Sequence, residues 1–241
     1  MKCARHVVAL NADKLIKNKV LKAHVNVPFF VYNKIIIKGV KMLWTFNTDQ
    51  RIKECELRDN PIIIRVNKFD EQSAQEFCTN MSLAHCTGQE IIPIVIDSYG
   101  GQVYSLMRMI GAIKASRLPV ATIVEGKAMS CGAILFSFGE EGKRYMDPHA
   151  TVMIHDVSSG AIGKIEEIKA NAKESERLND QVYEMMAQNC GQPDDFFKKK
   201  VHDIGHADLY VTPKDAKKWK LANHLRLPKF DINIKVEMQF S

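Results

Sequence analysis

The sequence lacks the cysteine patterns that mark disulfide frameworks and zinc sites. Its six cysteines are scattered along the chain, and no two of them form a C-x-x-C pair. Cysteines without ordered spacing are typical of a reducing compartment. We therefore expect a cytoplasmic protein, or alternatively one of an organelle matrix or stroma, with no metal and no cofactor.

Long apolar runs are absent as well. A membrane-spanning helix needs roughly 18 consecutive apolar residues, and the longest apolar stretches of this chain are interrupted by Lys or Asn. Internal repeats and low-complexity tracts are also missing from the sequence. These features predict an ordinary globular protein that does not enter a membrane.

Positive charge is scarce outside the N-terminal region. Residues 1–41 contain nine Lys and Arg against one acid, Asp13, a balance of +8, whereas the whole chain carries +6 and the other 200 residues therefore −2. A slightly acidic main body has no electrostatic reason to bind nucleic acid. The basic stretch has few acids, like a transit peptide, but contains no Ser and little Arg. We expect residues 1–41 to be a targeting segment or a dispensable extension.

From about residue 58 the sequence alternates strand-like and helix-like segments, which predicts parallel βαβ units and an α/β fold. The segments "PIIIRV" (61–66) and "IIPIVID" (91–97) are apolar at consecutive positions, as in strands buried on both faces. Residues 72–83 fit a helix between them. A further helix follows the second strand, and the strand "PVATIVEG" (119–126) then leads into Ser130.

A long amphipathic helix is predicted over residues 162–190, with Gly191 as its C-cap. Its approximate apolar stripe consists of Ile165, Ile168, Leu178, Val182, Met185 and Met186. Such a helix is longer than a small domain needs for its own core. We therefore expect part of it to contact a protein partner. Residues 230–240 alternate apolar and polar side chains like an edge strand.

Four candidate site residues lie near the ends of predicted strands. Ser130, in "KAMSCGAIL", lies between small residues at a strand-to-helix junction, where a serine is more often a helix cap. His155 ends the apolar segment "TVMIH", and Asp208 precedes the strand in "ADLYV". Gly100 follows "IIPIVID", where paired glycines usually form a tight turn. Each residue alone favours a structural role.

Together, these residues offer the groups that a serine needs to hydrolyse an amide. The hydroxyl proton requires a base, the base requires an orienting carboxylate, and the tetrahedral oxyanion requires N–H donors. The segments "IDSYGGQV", "KAMSCGAIL", "GKRYMDPHATVMIHD", "NCGQ" and "ADLYVTPKDA" also closely resemble, in this order, the motifs of the Clp-type serine peptidases, the proteolytic subunits of ATP-dependent Clp protease. The resemblance runs from about residue 58 to 227, and "GKRYMDPHATVMIH" is its most specific part.

This resemblance implies a crotonase-like α/β fold, a spiral of βαβ units with a long protruding handle helix, in a homo-oligomer of stacked rings around a chamber. It implies Ser130 as the nucleophile, His155 as the general base and acid, and Asp208 as the orienting carboxylate. The backbone N–H groups of Gly101 and Cys131 would form the oxyanion hole. One extra residue before Asp208 leaves Asp203 as the alternative third member.

Two segments depart from the family pattern. The usual Ser-Pro-Gly-Gly is replaced by Ser-Tyr-Gly-Gly, which keeps Gly100 and Gly101. In "HDVSSGAIG", Ser159 replaces one glycine of a glycine-rich substrate-binding strand, and Gly160 is retained. The resemblance therefore implies that Gly100, Ser159 and Gly160 contact the substrate.

The predicted organisation is an unassigned N-terminal extension (1–57), a Clp-type peptidase domain (58–229) and a C-terminal tail (230–241). The expected activity is that of a serine endopeptidase acting on unfolded proteins or short peptides. Residues 1–57 do not resemble the family segment that helps to dock an AAA+ ATPase, so that partnership has little support. The alternatives are a non-catalytic ring subunit with a structural or regulatory role, and an acyl-CoA enzyme of the crotonase superfamily, which thioester binding would identify.

Overall fold

The computed structural model describes the backbone of residues 41–48 and 51–58 and all atoms of residues 61–229. The predicted edge strand at 230–240 and residues 1–40 of the predicted extension lie outside the described residues. The chain divides into two compact units, one of Pro61–Pro228 and one of residues 1–60 with 229–241. In the latter, strands β1 (Lys41–Thr48) and β2 (Arg51–Arg58) form an antiparallel pair.

The unit of Pro61–Pro228 alternates strands and helices, as the sequence predicts. Its elements are β3 (Ile64–Val66), α1 (Glu71–Ala84), β4 (Ile92–Ser98), α2 (Val103–Lys114), β5 (Val120–Met129), α3 (Cys131–Ser137), β6 (Arg144–Met146), β7 (Thr151–Ile154), α4 (Ile165–Asn189), α5 (Phe196–His202), β8 (Leu209–Val211) and α6 (Pro213–Lys218). The fold is therefore α/β, of the Clp-type class that the motifs imply.

The sheet of this unit is mixed. Its strand order is β3-β4-β5-β7-β8, and β6 pairs with β5 off this path. All of these pairs are parallel except β7–β8, which is antiparallel. The ends of β5 and β7, and the beginning of β8, therefore meet at one edge of the sheet.

Strand β4 is buried on both faces, as the run of consecutive apolar residues predicts. Residues 92–96 are all buried, and helices pack on the sheet through apolar faces such as Phe77 and Met81 of α1. The prediction of a strand over all of 61–66 is wrong, because pairing begins only at Ile64. The Gln89 side chain instead accepts a hydrogen bond from the N–H of Ile62 (2.8 Å) and donates one to its carbonyl (3.2 Å).

Helix α4 begins three residues later than predicted, at Ile165 instead of Ile162. The carboxylate of Glu167 accepts a hydrogen bond from the N–H of Lys164 (3.2 Å), which fixes the start of the helix just after Lys164. Residues 162–173 are exposed, and every fully buried residue of α4 lies at or after Leu178. The N-terminal half is thus the protruding handle that the resemblance implies. None of the helices within 61–229 has the length and hydropathy needed to cross a membrane.

The most specific motif contains a buried arginine that joins several elements. The guanidinium of Arg144, 3% exposed, donates hydrogen bonds to four backbone carbonyls, those of Ser137 (3.4 Å), Gly139 (3.0 Å), Asn189 (3.0 Å) and Lys220 (2.9 Å). These carbonyls lie at the ends of α3 and α4 and just after α6. Because one side chain satisfies all four acceptors, it fixes the helix ends behind the sheet.

Candidate active site

Ser130 occupies the single residue between β5 and α3, in a conformation that few non-glycine residues adopt. Its φ is 54° and its ψ is −120°. Its N–H donates to the carbonyl of Met153 (2.8 Å), which attaches the junction to β7. The hydroxyl makes no capping bond to α3. Ser130 therefore lies at the N-cap position of α3, but its hydroxyl does not act as the cap.

The first glycine of the pair after β4 lies directly against Ser130. Gly100 has a φ of 106°, and a Cβ at this position would lie 2.7 Å from the Cβ of Ser130 and 3.2 Å from its Oγ. The turn is held by a hydrogen bond from the Gly100 N–H to the hydroxyl of Ser98 (3.1 Å). Only a residue without a side chain fits here. The structure therefore brings Gly100 and Ser130 together, as the motifs imply.

Gly101 and Cys131, the two predicted oxyanion donors, are also neighbours. The thiol of Cys131 donates to the carbonyl of Gly101 (3.2 Å). A Cβ on Gly101 would lie 2.4 Å from the carbonyl oxygen of Phe69, so no side chain fits at this position. Within residues 61–229, neither the N–H of Gly101 nor that of Cys131 has a hydrogen-bond acceptor. Both N–H groups therefore lack a protein acceptor, and their role as oxyanion donors stays a prediction.

Strand register places the remaining two predicted residues at the same sheet edge. Met129 pairs with Met153 in the parallel β5–β7 ladder, so Ser130 and His155 follow just beyond its end. Ile154 pairs with Leu209 in the antiparallel β7–β8 ladder. One step outward on these two strands are His155 and Asp208. Asp203, the alternative carboxylate, lies at the end of α5 instead.

The side chains of this set are close in register but are not joined by hydrogen bonds. Across the described range 61–229, the Oγ of Ser130, the imidazole of His155 and the carboxylate of Asp208 take part in none. Asp208 is exposed, whereas Ser130 and His155 are half-buried. Catalytic hydrogen bonds are often long without substrate and shorten when it binds.

The two other predicted substrate contacts lie further from Ser130 along the chain that leaves β7. The hydroxyl of Ser159 is 2.7 Å from the hydroxyl of Ser175 on α4. Gly160 is exposed, and a Cβ there would meet nothing within 4 Å. Within residues 61–229 neither Ser159 nor Gly160 shares a hydrogen bond with Ser130, so their role in binding stays a prediction.

A polar cluster beside His155 was not anticipated from the sequence. The Oδ1 of Asp156 accepts hydrogen bonds from Asn179 (3.0 Å) and Tyr183 (3.0 Å), and its Oδ2 is 2.6 Å from the Nδ1 of His206. Burial opposes ionisation of Asp156, but these three hydrogen bonds together lower the pKa of its carboxyl group. The rings of His202 and His206 lie with their centroids 4.0 Å apart and their planes tilted by 38°. The only available signal was the spacing of the two histidines.

Cys131 is next to Ser130, but its thiol is unsuited to be a nucleophile. It is 1% exposed, and burial raises its pKa to about 11. At about pH 8 roughly one molecule in a thousand would carry the thiolate. We expect iodoacetamide to leave Cys131 unmodified in the folded protein and to alkylate the exposed Cys86. Peptide mass spectrometry would measure both, and equal rates at the two thiols would contradict this prediction.

The comparison with known families finds a match over most of the chain. The family model described as Clp protease matches residues 49–226, which is most of the chain and includes every predicted site residue. The match begins nine residues before the predicted domain start at 58 and ends just before its predicted end. The α/β sheet, the protruding helix and the motif order are those expected of this group of peptidases. The chain belongs to the Clp protease family.

Proposed function

We propose that this protein is a serine endopeptidase in which Ser130, His155 and Asp208 form the catalytic triad. The observation that carries the proposal is the conformation of Ser130. Its backbone has a positive φ, its hydroxyl does not cap α3, and Gly100 lies against it where a side chain would collide. A hydroxyl held in this way at a strand-to-helix turn is available to a substrate that approaches over the glycine.

The proposed mechanism assigns one role to each of the three residues. His155 takes the proton of the Ser130 hydroxyl as the oxygen attacks the carbonyl carbon of the scissile bond, and then returns that proton to the leaving amine. Asp208 holds the imidazole in the required tautomer. The N–H groups of Gly101 and Cys131 stabilise the oxyanion of the tetrahedral intermediate, and water then hydrolyses the acyl-enzyme.

A fluorophosphonate probe tests this proposal because it reacts with activated serines and leaves unactivated hydroxyls alone. We expect one label per subunit, assigned to Ser130 by peptide mapping, and no label in Ser130→Ala. Ser82→Ala, which removes an exposed hydroxyl from α1, is the matched control and should label like the wild type. Labelling at another serine, or none in a folded and assembled sample, would refute the triad.

The unmade hydrogen bonds of His155 support a second candidate, a non-catalytic ring subunit. In such a subunit Ser130, His155 and Asp208 would be present but would not form a working catalytic triad. The two candidates differ in the probe experiment, because a structural subunit would assemble but remain unlabelled. A structural subunit should also leave a short peptide substrate uncleaved.

We also propose that the subunits assemble into rings and that the handle half of α4 lies between them. Three isoleucines on or just before this half are exposed, Ile162 (104%), Ile165 (71%) and Ile168 (41%). The burial of such side chains contributes about 1.5–3 kcal/mol each. Exposed isoleucines grouped on a protruding helix are typical of a surface that contacts a partner. The substrates would be unfolded chains or short peptides. The free cysteines of the described residues are typical of a reducing compartment.

The double substitution of Ile165 and Ile168 by glutamate should convert the assembly to smaller species, because charges would enter an apolar contact. Size-exclusion chromatography with light scattering would measure the mass. Leu83→Glu is the control, since Leu83 on α1 is 43% exposed, slightly more than Ile168. A double variant with the same mass as the wild type would show that this part of α4 does not lie at a subunit contact.

A further inference from the structure

The polar cluster of Asp156, His202 and His206, here called the His-Asp cluster, has the composition of a transition-metal site. One ligand atom from each residue lies within 4.8 Å of the other two. Two imidazole nitrogens and one carboxylate oxygen are donors that Zn²⁺ and related cations prefer. We propose that the His-Asp cluster binds one divalent transition-metal ion of the zinc class, with water at the open coordination position.

The carboxylate of the cluster is oriented in advance. Both hydrogen bonds from α4, from Asn179 and from the 2% exposed Tyr183, go to the Oδ1 of Asp156. Its Oδ2 is thereby directed at the histidines. Asn179 also accepts a hydrogen bond from the N–H of Val157 (2.9 Å), so the backbone after Asp156 is held as well. Ligands that are supported by such outer hydrogen bonds bind metals more tightly.

The two histidines are positioned by the backbone at the end of α5. The N–H of His206 donates to the carbonyl of Val201 (3.1 Å), and the N–H of Gly205 donates to that of His202 (2.9 Å). With Gly205 at a φ of 72°, these two bonds form a Schellman motif. The motif reverses the chain so that His206 returns over the last turn of α5. Because the backbone fixes both residues, little order must be gained when a metal binds.

Metal ligation requires only a small rearrangement of these groups. Three ligands bound to one zinc ion at about 2.1 Å lie roughly 3.4 Å apart. The Nδ1 of His206 and the Oδ2 of Asp156 are 2.6 Å apart, a hydrogen-bond contact that the ion would replace. The side chains of both histidines are exposed and can rotate into place. The ion would join the chain after β7 to the turn before β8 and so restrain residues 203–208.

Zinc binding can be measured on the full-length protein after chelator treatment, by competition with a chromophoric chelator. We expect one site per subunit that His202→Gln or His206→Gln weakens at least about tenfold, and that the double variant lacks. His149→Gln, which removes an exposed histidine elsewhere, is the control and should bind like the wild type. Equal zinc affinity in the double variant, or no binding by the wild type, would overturn the proposal.

Cobalt(II) distinguishes this site from one built on cysteines. We expect visible d–d bands without the near-ultraviolet band of a thiolate ligand, and we expect those bands to disappear in the double variant. Tyr183→Phe, which removes one hydrogen bond to Asp156, should lower affinity about 10- to 100-fold without abolishing the site. Zinc should raise the melting temperature of the wild type but not of the double variant. A thiolate band that persists in the double variant would place the metal elsewhere and refute the proposal.

Discussion

Ser130→Ala is expected to lower the rate of peptide hydrolysis by at least about 10³-fold and to leave folding and assembly unchanged. The large loss follows because the proposed reaction has no other nucleophile at this position, since the neighbouring thiol of Cys131 is buried and protonated. Folding should be unaffected because the hydroxyl of Ser130 makes no cap bond and the residue is only half-buried.

The rate would be measured with a short fluorogenic peptide, and the fold by circular dichroism and light scattering. Ser82→Ala provides the matched control, with wild-type activity expected. Residual hydrolysis above about a tenth of the wild-type rate, in a sample free of other peptidases, would show that Ser130 is not the nucleophile.

Asp208→Asn is expected to lower kcat about 10⁴-fold, while Asp203→Asn stays close to the wild type. The amide in place of the carboxylate would let the imidazole of His155 adopt the wrong tautomer. Asp208 follows the β7–β8 register outward to the position beside His155, whereas Asp203 lies at the end of α5. Both carboxylates are exposed, so neither change should unfold the protein.

The comparison of these two variants decides which carboxylate completes the triad. Steady-state kinetics on both, with melting curves as the check on stability, is sufficient. If Asp203→Asn greatly lowers kcat while Asp208→Asn does not, Asp203 would be the carboxylate that orients His155. If both variants hydrolyse peptide normally, the Ser-His-Asp mechanism fails and the non-catalytic subunit becomes the better proposal.

Much of the fold could be predicted because the spacing of apolar residues along the sequence reflects which faces of a strand or helix are buried. The consecutive apolar residues of β4 predicted a strand buried on both faces, and it has that burial. The boundaries were less predictable where a side chain competes with the backbone. Gln89 takes the backbone groups of Ile62 that a longer β3 would have used, and Glu167 caps α4 at Lys164. Such contacts depend on tertiary placement as well as on local propensity.

The candidate site could be predicted only for those residues that lie in the ordered motifs. Ser130, Gly100, Gly101 and Cys131 belong to two short turns that follow β4 and β5, and the structure places the two turns side by side. The contact of Asp156 with His206 could not be foreseen, because the two residues are 50 positions apart and no spacing rule links them. The antiparallel direction of β8 brings such distant residues to one edge, and no residue pattern indicated that direction.

The positive φ of Ser130 has a consequence for the evolution and engineering of this protein. A non-glycine residue in such a conformation costs roughly 1–3 kcal/mol, and glycine would adopt it with little penalty. Selection for stability alone would therefore favour glycine at position 130 and remove the hydroxyl. Because folded domains are only marginally stable, the protein can tolerate only a few conformational costs of this size. At this position thermostability and the proposed catalysis favour different residues. Protein engineering that optimises stability alone would therefore remove the proposed activity.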